Sequence, residues 1–360
     1  MGELRLMKGN EAIAESVIRA GCDGYFGYPI TPQSEIMEYL MAEKPFERTG
    51  MVVLQAESET ASINMIYGAA GTGKMVVTSS SSPGISLMQE GISYLAGAEL
   101  PALIVNAVRG GPGLGTIQPS QADYFQACKG GGHGDYHMIV MAPASVQEMA
   151  DLVKVCFDLA FKYRTPVMML SDGAIGQMME KVVLPDPIPR RTDEELIRQC
   201  PWAATGKQKD RDHIIITSLD LDPAGQEKVN LKLQEKYRQI EENEVRCESI
   251  MTDDADYHFV AFGLSARICQ KSVDLARAKG IKVGLFRPIS LFPFPKKEMN
   301  EIGKKSKGIL VVEMNAGQMI EDVRLSIDSH VKIEHYGRFG GIIPSPDEVV
   351  RALEQKVIGG

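Results

Sequence analysis

Short apolar runs alternate with longer amphipathic stretches through the first 180 residues, and this alternation constrains the fold more than any other feature of the sequence. A succession of strand, helix and strand predicts βαβ units, whose strands lie parallel in one sheet. The predicted strands lie near residues 24–28, 51–55, 75–79, 102–107, 138–142 and 166–170. The predicted helices cover residues 10–20, 32–43, 57–70, 84–97 and 145–163. For the second helix, Thr31 is the predicted N-cap and Pro32 the first helical residue.

The rest of the chain divides into two segments. The alternation stops at about residue 185 and gives way to a proline-rich stretch and a charged, helix-like stretch, which predict a connector that wraps a surface without building a core. From residue 255 the alternation returns, which predicts a second α/β unit. The predicted domains are therefore a first α/β domain over residues 1–185, a connector over 186–254 and a second α/β domain over 255–360.

Composition and cysteine spacing exclude several classes of protein. The net charge is −8, whereas binding of nucleic acid requires an excess of Lys and Arg on the binding face, so nucleic acid is not an expected partner. The sequence has no apolar run long enough to span a membrane and no signal-peptide core at its start, so no membrane partner and a cytoplasmic location are expected. The six cysteines never form a CxxC pair, which argues against a local zinc or iron–sulfur site.

Two motifs resemble binding sites but lie in the wrong context. The stretch from Gly68 to Lys74 has the GxxxxGK spacing of a phosphate-binding loop, but Met75 lacks the hydroxyl that would hold Mg²⁺. Its glycines also follow a predicted helix, so we interpret them as a helix C-cap, and a nucleotide-binding protein remains only an alternative. His133 and His137 lie in a glycine-rich loop, where no metal site is predicted.

Polar side chains follow the ends of four predicted strands. Because the carboxyl ends of parallel strands share one edge of a sheet, this is the edge where open α/β sheets bind ligands. The side chains are a hydroxyl, two carboxyls, a run of serines and a guanidinium: Thr31, Glu57, Glu59, Ser79 to Ser82 and Arg109. The sequence therefore predicts a candidate site at this edge.

Ordered motifs link the whole chain to a known family. They are GYPITP (27–32), LQAES (54–58), SSSSPGISLMQEGISYLAGAELP (79–101), VNAVRGGPGLGT (105–116), QAD (121–123), SDGAIG (171–176) and YGRFGG (336–341). With them, the sequence resembles the α-type subunits of 2-oxoacid:ferredoxin oxidoreductases, particularly those for branched-chain 2-oxoacids or 2-oxoglutarate. The resemblance implies a thiamine diphosphate-binding fold of class α/β. It consists of a pyrimidine-binding domain with a parallel sheet, followed by a transketolase C-terminal-like α/β domain.

The resemblance also implies an activity and a set of partners. The reaction would be thiamine diphosphate- and CoA-dependent oxidative decarboxylation of a 2-oxoacid, with 2-oxoisovalerate favoured, to acyl-CoA and CO₂ with reduction of ferredoxin. The chain lacks a GDG motif followed by Asn, so the diphosphate half of the cofactor and Mg²⁺ are expected on a β-type subunit. Iron–sulfur clusters are expected on partner subunits, and γ- and δ-type subunits are expected among the partners. This chain would be active only with these partners and would homodimerise within the hetero-oligomer.

Individual residues take roles from the same resemblance. Glu57 would hydrogen-bond N1′ of the aminopyrimidine from surroundings that bury it, while Glu59 would point elsewhere. Thr31 and Arg109 would hold the carboxylate of the 2-oxoacid. The remaining cofactor-binding residues would be Tyr28, Pro29, Ile30 and Ser82, and no metal ligand is expected in this chain.

Other interpretations stay open at this point. The substrate could be 2-oxoglutarate, the chain could be a non-catalytic paralogue, or it could serve another thiamine-dependent reaction such as that of an indolepyruvate-type enzyme. The stretch from Arg267 to Lys307 holds 11 basic and three acidic residues. It could dock an acidic partner, although solvated helix faces are the more common explanation.

Overall fold

Two large β-sheets organise the described residues, and a third sheet is a single antiparallel pair of strands, Glu3–Lys8 with Met179–Leu184. The computed structural model describes residues 2–207 and 211–359, and none of the helices in these ranges is long and apolar enough to cross a membrane. The strands are β1 (Glu3–Lys8), β2 (Gly24–Gly27), β3 (Val52–Gln55), β4 (Val76–Ser80), β5 (Ala102–Val108), β6 (Ile139–Met141), β7 (Pro166–Asp172), β8 (Met179–Leu184), β9 (Cys247–Ile250), β10 (Tyr257–Val260), β11 (Val283–Pro288), β12 (Ser290–Phe292), β13 (Gly308–Glu313) and β14 (Lys332–Gly337).

The helices cover the two sheets. They are α1 (Gly9–Arg19), α2 (Ser34–Glu43), α3 (Pro45–Thr49), α4 (Glu59–Gly71), α5 (Ser82–Gly97), α6 (Tyr124–Cys128), α7 (Val146–Tyr163), α8 (Gly173–Gln177), α9 (Asp193–Gln199), α10 (Pro223–Asn243), α11 (Gly263–Ala278), α12 (Lys296–Lys305), α13 (Met319–Ser326) and α14 (Pro346–Ala352), with a π-helical turn at Leu353–Ile358.

The first sheet has the order β12-β6-β7-β5-β4-β2-β3 among the described residues. Strands β2 to β7 pair in parallel, and only β12 runs antiparallel to its neighbour. Strands β5 and β7 are buried along their whole length, which explains their continuous apolar sequences, because helices cover a parallel sheet on both faces. This sheet contains the six strands that the alternation predicts.

The second sheet has the order β14-β13-β10-β11-β9, in which β9 runs antiparallel to β11. Its strands β10, β11, β13 and β14 lie in the segment that the sequence predicts as a second α/β unit. Two strands near the segment boundaries join a sheet that their own segment was not predicted to build. Strand β9 lies in the predicted connector and extends the second sheet, whereas β12 lies in the second segment and completes the first sheet. Both strands are short, so the alternation pattern did not predict them.

Two local predictions are wrong. Helix α2 begins at Ser34 and not at Pro32, and its N-cap is Gln33 rather than Thr31. The buried Gln33 side chain donates to the Tyr28 carbonyl at 3.0 Å and accepts from Ser79 Oγ at 2.7 Å, so it holds the preceding residues in a turn. The connector also builds core, because α10 buries an apolar stripe of Leu233, Tyr237 and Ile240 at helical spacing.

Most of the basic residues from Arg267 to Lys307 form ion pairs within the chain. Arg267 pairs with Glu180 at 2.5 Å, which joins the two domains. Seven further bases of the stretch also pair with acids: Arg277, Lys279, Arg287, Lys296 and Lys307 with acids outside the stretch, and Lys271 and Lys304 with acids three residues away on their own helix. These pairs favour solvated helix faces over a docking surface for an acidic partner.

Candidate active site at the carboxyl edge of the first sheet

Four neighbouring strands end at the same edge and deliver the predicted side chains there. Strands β3, β2, β4 and β5 are adjacent in that order, and their parallel register pairs Gly27 with Gln55. The Ala56 amide then donates to the Gly27 carbonyl at 2.8 Å, which keeps the segments after β2 and β3 side by side. The Tyr28–Thr31 segment, the two glutamates, the serines and Arg109 therefore lie along one edge, as predicted.

Arg109 is a buried cation at this edge. The residue is 7% exposed, and its guanidinium donates to the Thr31 carbonyl at 2.9 Å and to the Leu114 carbonyl at 3.0 Å. These bonds join the segment after β2 to the glycine loop after β5. The Arg109 Nε–H is buried and has no partner among the described residues. A buried cation with an unpaired N–H favours binding of an anion, because the anion would supply both the missing acceptor and the counter-charge.

A small polar network fixes the backbone of Arg109. Ser82 Oγ accepts from the Arg109 amide at 3.0 Å and donates to Asp123 Oδ2 at 2.7 Å. The Asn106 amide group donates to the same carboxyl oxygen at 2.9 Å. Burial raises the pKa of the Asp123 carboxyl, even though both hydrogen bonds oppose that shift. Ser82 therefore lies at the site as predicted, but its visible contacts position Arg109.

The segment from Tyr28 to Thr31 is more open. Tyr28, Pro29 and Ile30 are half-buried, and Thr31 is exposed next to a cis peptide bond to Pro32. Tyr25 Oη donates to Ser79 Oγ at 2.8 Å, and Ser79 in turn donates to Gln33, so a hydrogen-bonded chain supports this segment from below. The Thr31 backbone carbonyl accepts from the Arg109 guanidinium, so the two residues lie together at this edge, and their joint role in binding an acid stays a prediction.

The two glutamates exchange their expected environments. Glu57 was expected to be buried, and this expectation is wrong, because Glu57 is exposed and accepts from Ser58 Oγ at 3.2 Å. Ser58 is the N-cap of α4, so Glu57 lies outside the helix and Glu59 is its first residue. Glu59 is only 6% exposed and lies beside the first turn of α5. A Cβ at Gly84 would stand 2.6 Å from Glu59 Oε1, so the glycine is what permits this approach.

Two hydroxyls without partners lie at the end of β4, and one of them, Ser80 Oγ, lies near the buried glutamate, since a Cβ at Gly84 would approach both. Ser80 Oγ and Ser81 Oγ are buried and have no hydrogen-bond partner among the described residues. Buried polar groups without partners are uncommon, and where they cluster they indicate a ligand or an ordered water. The end of β4 therefore offers free hydroxyls, one of them near the Glu59 carboxyl.

The second domain is fixed to this site through Gln121. Gln121 Nε2 donates to the Phe262 carbonyl at 2.8 Å, while its Oε1 accepts from Ser265 Oγ at 2.7 Å and from the Met314 amide at 3.0 Å. The Asn315 side chain donates to the Gln121 carbonyl at 2.8 Å. Because Gln121 is two residues before Asp123, the network behind Arg109 and the domain contact share one short segment.

The residues Gln121, Asp123 and Asn106 were not assigned roles from sequence. The sequence signal for Gln121 and Asp123 was the QAD motif after the glycine loop. This motif is part of the family resemblance, but the resemblance implies no role for it. Nothing in the spacing indicates that one side chain crosses to the second domain and the other turns back to β5. Only the fold brings Asn106, Ser82 and Asp123 together from three separate segments.

The other motifs have structural roles. Helix α4 ends at Gly71, Thr72 is its C-cap and Gly73 has a φ of 80°, so the GxxxxGK stretch is the helix end and turn that the sequence predicts. Its Lys74 pairs with Asp193 at 3.0 Å. His137 stacks on Phe292 with ring centroids 4.4 Å apart, and no metal-ligand cluster occurs in residues 2–207 or 211–359.

Two family models match successive parts of the chain. The model for pyruvate flavodoxin/ferredoxin oxidoreductase, thiamine diphosphate-binding, matches residues 15–248. The model for pyruvate:ferredoxin oxidoreductase core domain II matches residues 255–349. The first of these alone covers more than half of the chain.

Individual relatives agree over nearly the full length. The ketoisovalerate oxidoreductase subunit VorB of Methanothermobacter marburgensis is 48% identical over 352 residues, which cover 98% of this chain and 97% of the relative. The 2-oxoglutarate synthase subunit KorA of Archaeoglobus fulgidus is 37% identical over 355 residues, covering 98% and 99%.

Two solved structures share the fold. A 2-oxoglutarate:ferredoxin oxidoreductase from Magnetococcus marinus, with 2-oxoglutarate, coenzyme A and succinyl-CoA bound, matches at a TM-score of 0.85 and 28% identity. The match covers 99% of this chain and 66% of the longer one. A split-gene transketolase matches at a TM-score of 0.61 and 13% identity over 98% of both chains, a likeness of fold alone. These matches confirm the predicted α/β class and thiamine diphosphate-binding fold.

Proposed function

The chain belongs to the pyruvate flavodoxin/ferredoxin oxidoreductase family as an α-type subunit of a 2-oxoacid:ferredoxin oxidoreductase, and on this premise we propose how it contributes to the reaction. The reaction is CoA-dependent oxidative decarboxylation of a 2-oxoacid to acyl-CoA and CO₂, with reduction of ferredoxin. We assign 2-oxoisovalerate as the favoured acid, because the ketoisovalerate subunits are more similar than the 2-oxoglutarate ones. This chain's part is to bind the acid and to present one face of the cofactor site.

The observation that carries this proposal is the environment of Arg109. A buried guanidinium with an unpaired N–H, fixed at a ligand-binding sheet edge, matches the planar carboxylate of a 2-oxoacid. Thr31 lies on the same side, since Arg109 holds its carbonyl. These two residues would bind and orient the acid, and the surrounding structure already holds them in place.

The other half of the edge fits the aminopyrimidine of thiamine diphosphate. When bound, this cofactor supplies the carbanion chemistry, and the protein positions and tunes it. Burial, which the hydrogen bond to N1′ requires, is provided at Glu59 and not at Glu57. We therefore propose Glu59 as the carboxyl that faces N1′ and keep Glu57, the residue assigned from sequence, as the alternative. Tyr28, Pro29 and Ile30 would line the same half, and the free hydroxyls of Ser80 and Ser81 would take its polar atoms.

The diphosphate half of the cofactor is proposed to lie on a β-type partner, together with Mg²⁺. The nearest approach to a diphosphate motif in this chain is Asp172-Gly173. The Asp172 carboxylate is buried and accepts from the amides of Ala174 and Ile175, so it caps α8. We likewise propose iron–sulfur clusters on partner subunits, γ- and δ-type subunits among the partners, and homodimerisation within the complex. A cytoplasmic location is supported by six cysteines that are free thiols.

Surface composition supports a partner at the cofactor half. Large apolar side chains remain exposed on the edge strand β3, on α4, which follows Glu57 in the chain, and on α5, which packs against α4: Val52, Leu54, Met65, Leu87 and Tyr94. A cluster of this kind is typical of a surface that another protein covers. The partner would then bury Glu57 and complete the cleft beside Tyr28.

The test is reconstitution with the native partners. The chain co-purified with them should reduce a viologen dye with CoA and 2-oxoisovalerate, and activity should require thiamine diphosphate. The chain alone should be inactive. Absence of thiamine diphosphate dependence with every 2-oxoacid tried would contradict the proposal, whereas a preference for 2-oxoglutarate would change only the substrate.

A further inference from the structure

A cavity between the two domains adjoins Arg109. We propose that it receives the aliphatic side chain of the 2-oxoacid and that Phe339, from the second domain, determines specificity there. This inference rests on the proposed function, since it assumes that Arg109 holds the carboxylate. It adds a substrate-contacting role for the second domain, to which the site residues predicted from sequence give none.

The cavity is formed by both domains and is mostly apolar. Its volume is about 460 Å³, within the range of small-molecule sites. The first domain contributes the start of α5 and the glycine loop, and the second contributes the segment after β13 and the loop after β14. The apolar lining residues are Pro83, Pro112, Leu114, Ala122, Met314, Ala316 and Phe339.

Charge in the cavity is limited to one available cation. Of the lining residues, Arg109 and Asp123 are ionisable, and the Asp123 carboxyl is occupied by Ser82 and Asn106. Arg338, adjacent to Phe339, donates instead to Glu348 at 2.6 Å. The site can therefore neutralise one carboxylate. A second carboxylate would be desolvated against apolar side chains without a counter-charge, which is unfavourable.

Two of the apolar side chains stand open at the cavity. Leu114 is 82% exposed and Phe339 is 61% exposed, although both border a cavity rather than a flat surface. Large apolar groups in this position gain free energy when an apolar ligand covers them. An aliphatic chain attached to a carboxylate at Arg109 would cover both.

Backbone contact between the two loops fixes Phe339 relative to Arg109. A Cβ at Gly110 would lie 3.1 Å from the Gly340 carbonyl carbon and 3.2 Å from the Gly341 nitrogen, so side chains would not fit between the loops. Gly340 and Gly341 have φ values of 62° and 92°, which favour glycine. The glycines of the two loops thus let the second domain approach the residue next to Arg109.

The experiment uses the reconstituted complex and compares kcat/KM for 2-oxoisovalerate, pyruvate and 2-oxoglutarate. Phe339→Ala should lower the ratio of 2-oxoisovalerate to pyruvate by about 10-fold, as expected for loss of apolar contacts to a branched chain. Phe339→Arg should raise the ratio of 2-oxoglutarate to 2-oxoisovalerate. Leu114→Ala tests the same cavity from the first domain. Leu325→Ala, an exposed position elsewhere in the second domain, is the matched control.

The outcomes separate this inference from the proposed function. If both alanine variants lower kcat/KM for all acids equally, or raise the KM for CoA while the acid ratios stay constant, the side-chain assignment is overturned and the proposed function stands. If the wild-type complex uses no 2-oxoacid, the proposed function itself fails. A shift of the ratios with both Phe339 variants and with Leu114→Ala supports the inference.

Discussion

The acid-binding half and the cofactor half of the site lie on the same sheet edge but differ in how far the chain completes them. Around Arg109, side chains from β5, α5, the QAD segment and the second domain are joined by hydrogen bonds. Around Tyr28 and Glu57, the chain presents half-buried and exposed side chains. One chain can therefore complete the binding site for the substrate and still leave the cofactor cleft for another chain to close.

The largest effect is expected when a carboxyl is removed from the cofactor half of the site. Glu59→Gln should reduce kcat of the reconstituted complex by about 10² to 10⁴-fold, the range for loss of an essential acid–base group. Glu57→Gln should reduce it by less than about 10-fold under the same reasoning. Steady-state kinetics with saturating thiamine diphosphate measures both. The opposite order would return the N1′ role to Glu57, and two intact enzymes would support a non-catalytic paralogue.

The acid-binding half is tested at Arg109. Arg109→Lys should lower kcat/KM for the 2-oxoacid by about 10² to 10³-fold, because lysine keeps the charge but loses the planar, multiple donors. The KM for CoA should stay the same, which distinguishes acid binding from a general loss of structure. Circular dichroism checks that the variant folds. Full activity with lysine would show that charge alone suffices and would weaken the assignment.

The Asp172 carboxyl faces the Leu264 backbone of the second domain, and its titration gives a pH-dependent test of this contact. Burial raises the pKa of Asp172 from 3.8 to about 6. Because the folded-state pKa is raised, its stabilising contribution is present below pH 3.8 and is lost as pH rises through about 6. Asp172→Asn keeps an acceptor for the cap and should make the chain more stable at pH 8 by up to about 3 kcal/mol.

Chemical denaturation of both proteins at pH 4 and pH 8 measures this difference. The gain of the Asn variant should be larger at pH 8 than at pH 4. An equal gain at both pH values would show that the carboxyl does not titrate in this range.

The smallest expected effect comes from the network behind Arg109. Asp123→Ala leaves Ser82 without its acceptor and should raise the KM for the 2-oxoacid about 10-fold, the cost of roughly one buried hydrogen bond to a charged group. Asp123→Asn retains an acceptor and should restore most of the affinity. Rescue by Asn with a normal melting temperature in both variants would identify a positioning role. A uniform loss of stability would indicate a structural role only.

The predictability of the molecule from sequence follows the same division. Strands β4 and β5 and helices α5 and α7 are periodic over long stretches, so their positions followed from the pattern, as did the arrival of Arg109 at the sheet edge. The strands β9 and β12 are too short to show an apolar pattern, so they were not predicted, although β9 extends the second sheet and β12 extends the first. The start of α2 was misplaced because a buried Gln33, and not the local capping rule, fixes the turn.

The glutamates show where a motif reaches its limit. Spacing placed two carboxyls at the right edge, but which one is buried depends on the N-cap at Ser58 and on the missing side chain at Gly84. These contacts come from a neighbouring helix and were not visible in the sequence around Glu57. The same holds for Gln121, whose partners lie about 140 to 190 residues away along the chain.

Hydrogen exchange of the chain, alone and with its partner subunits, tests the central claim most directly. The account predicts that residues 28–31 and 57–58 exchange rapidly in the chain alone and become protected in the complex, because a partner closes the cofactor half. Residues 106–109 and 120–124 should be protected in both states. Protection of all these segments in the chain alone, or of none of the cofactor segments in the complex, would contradict the division of the site between two chains.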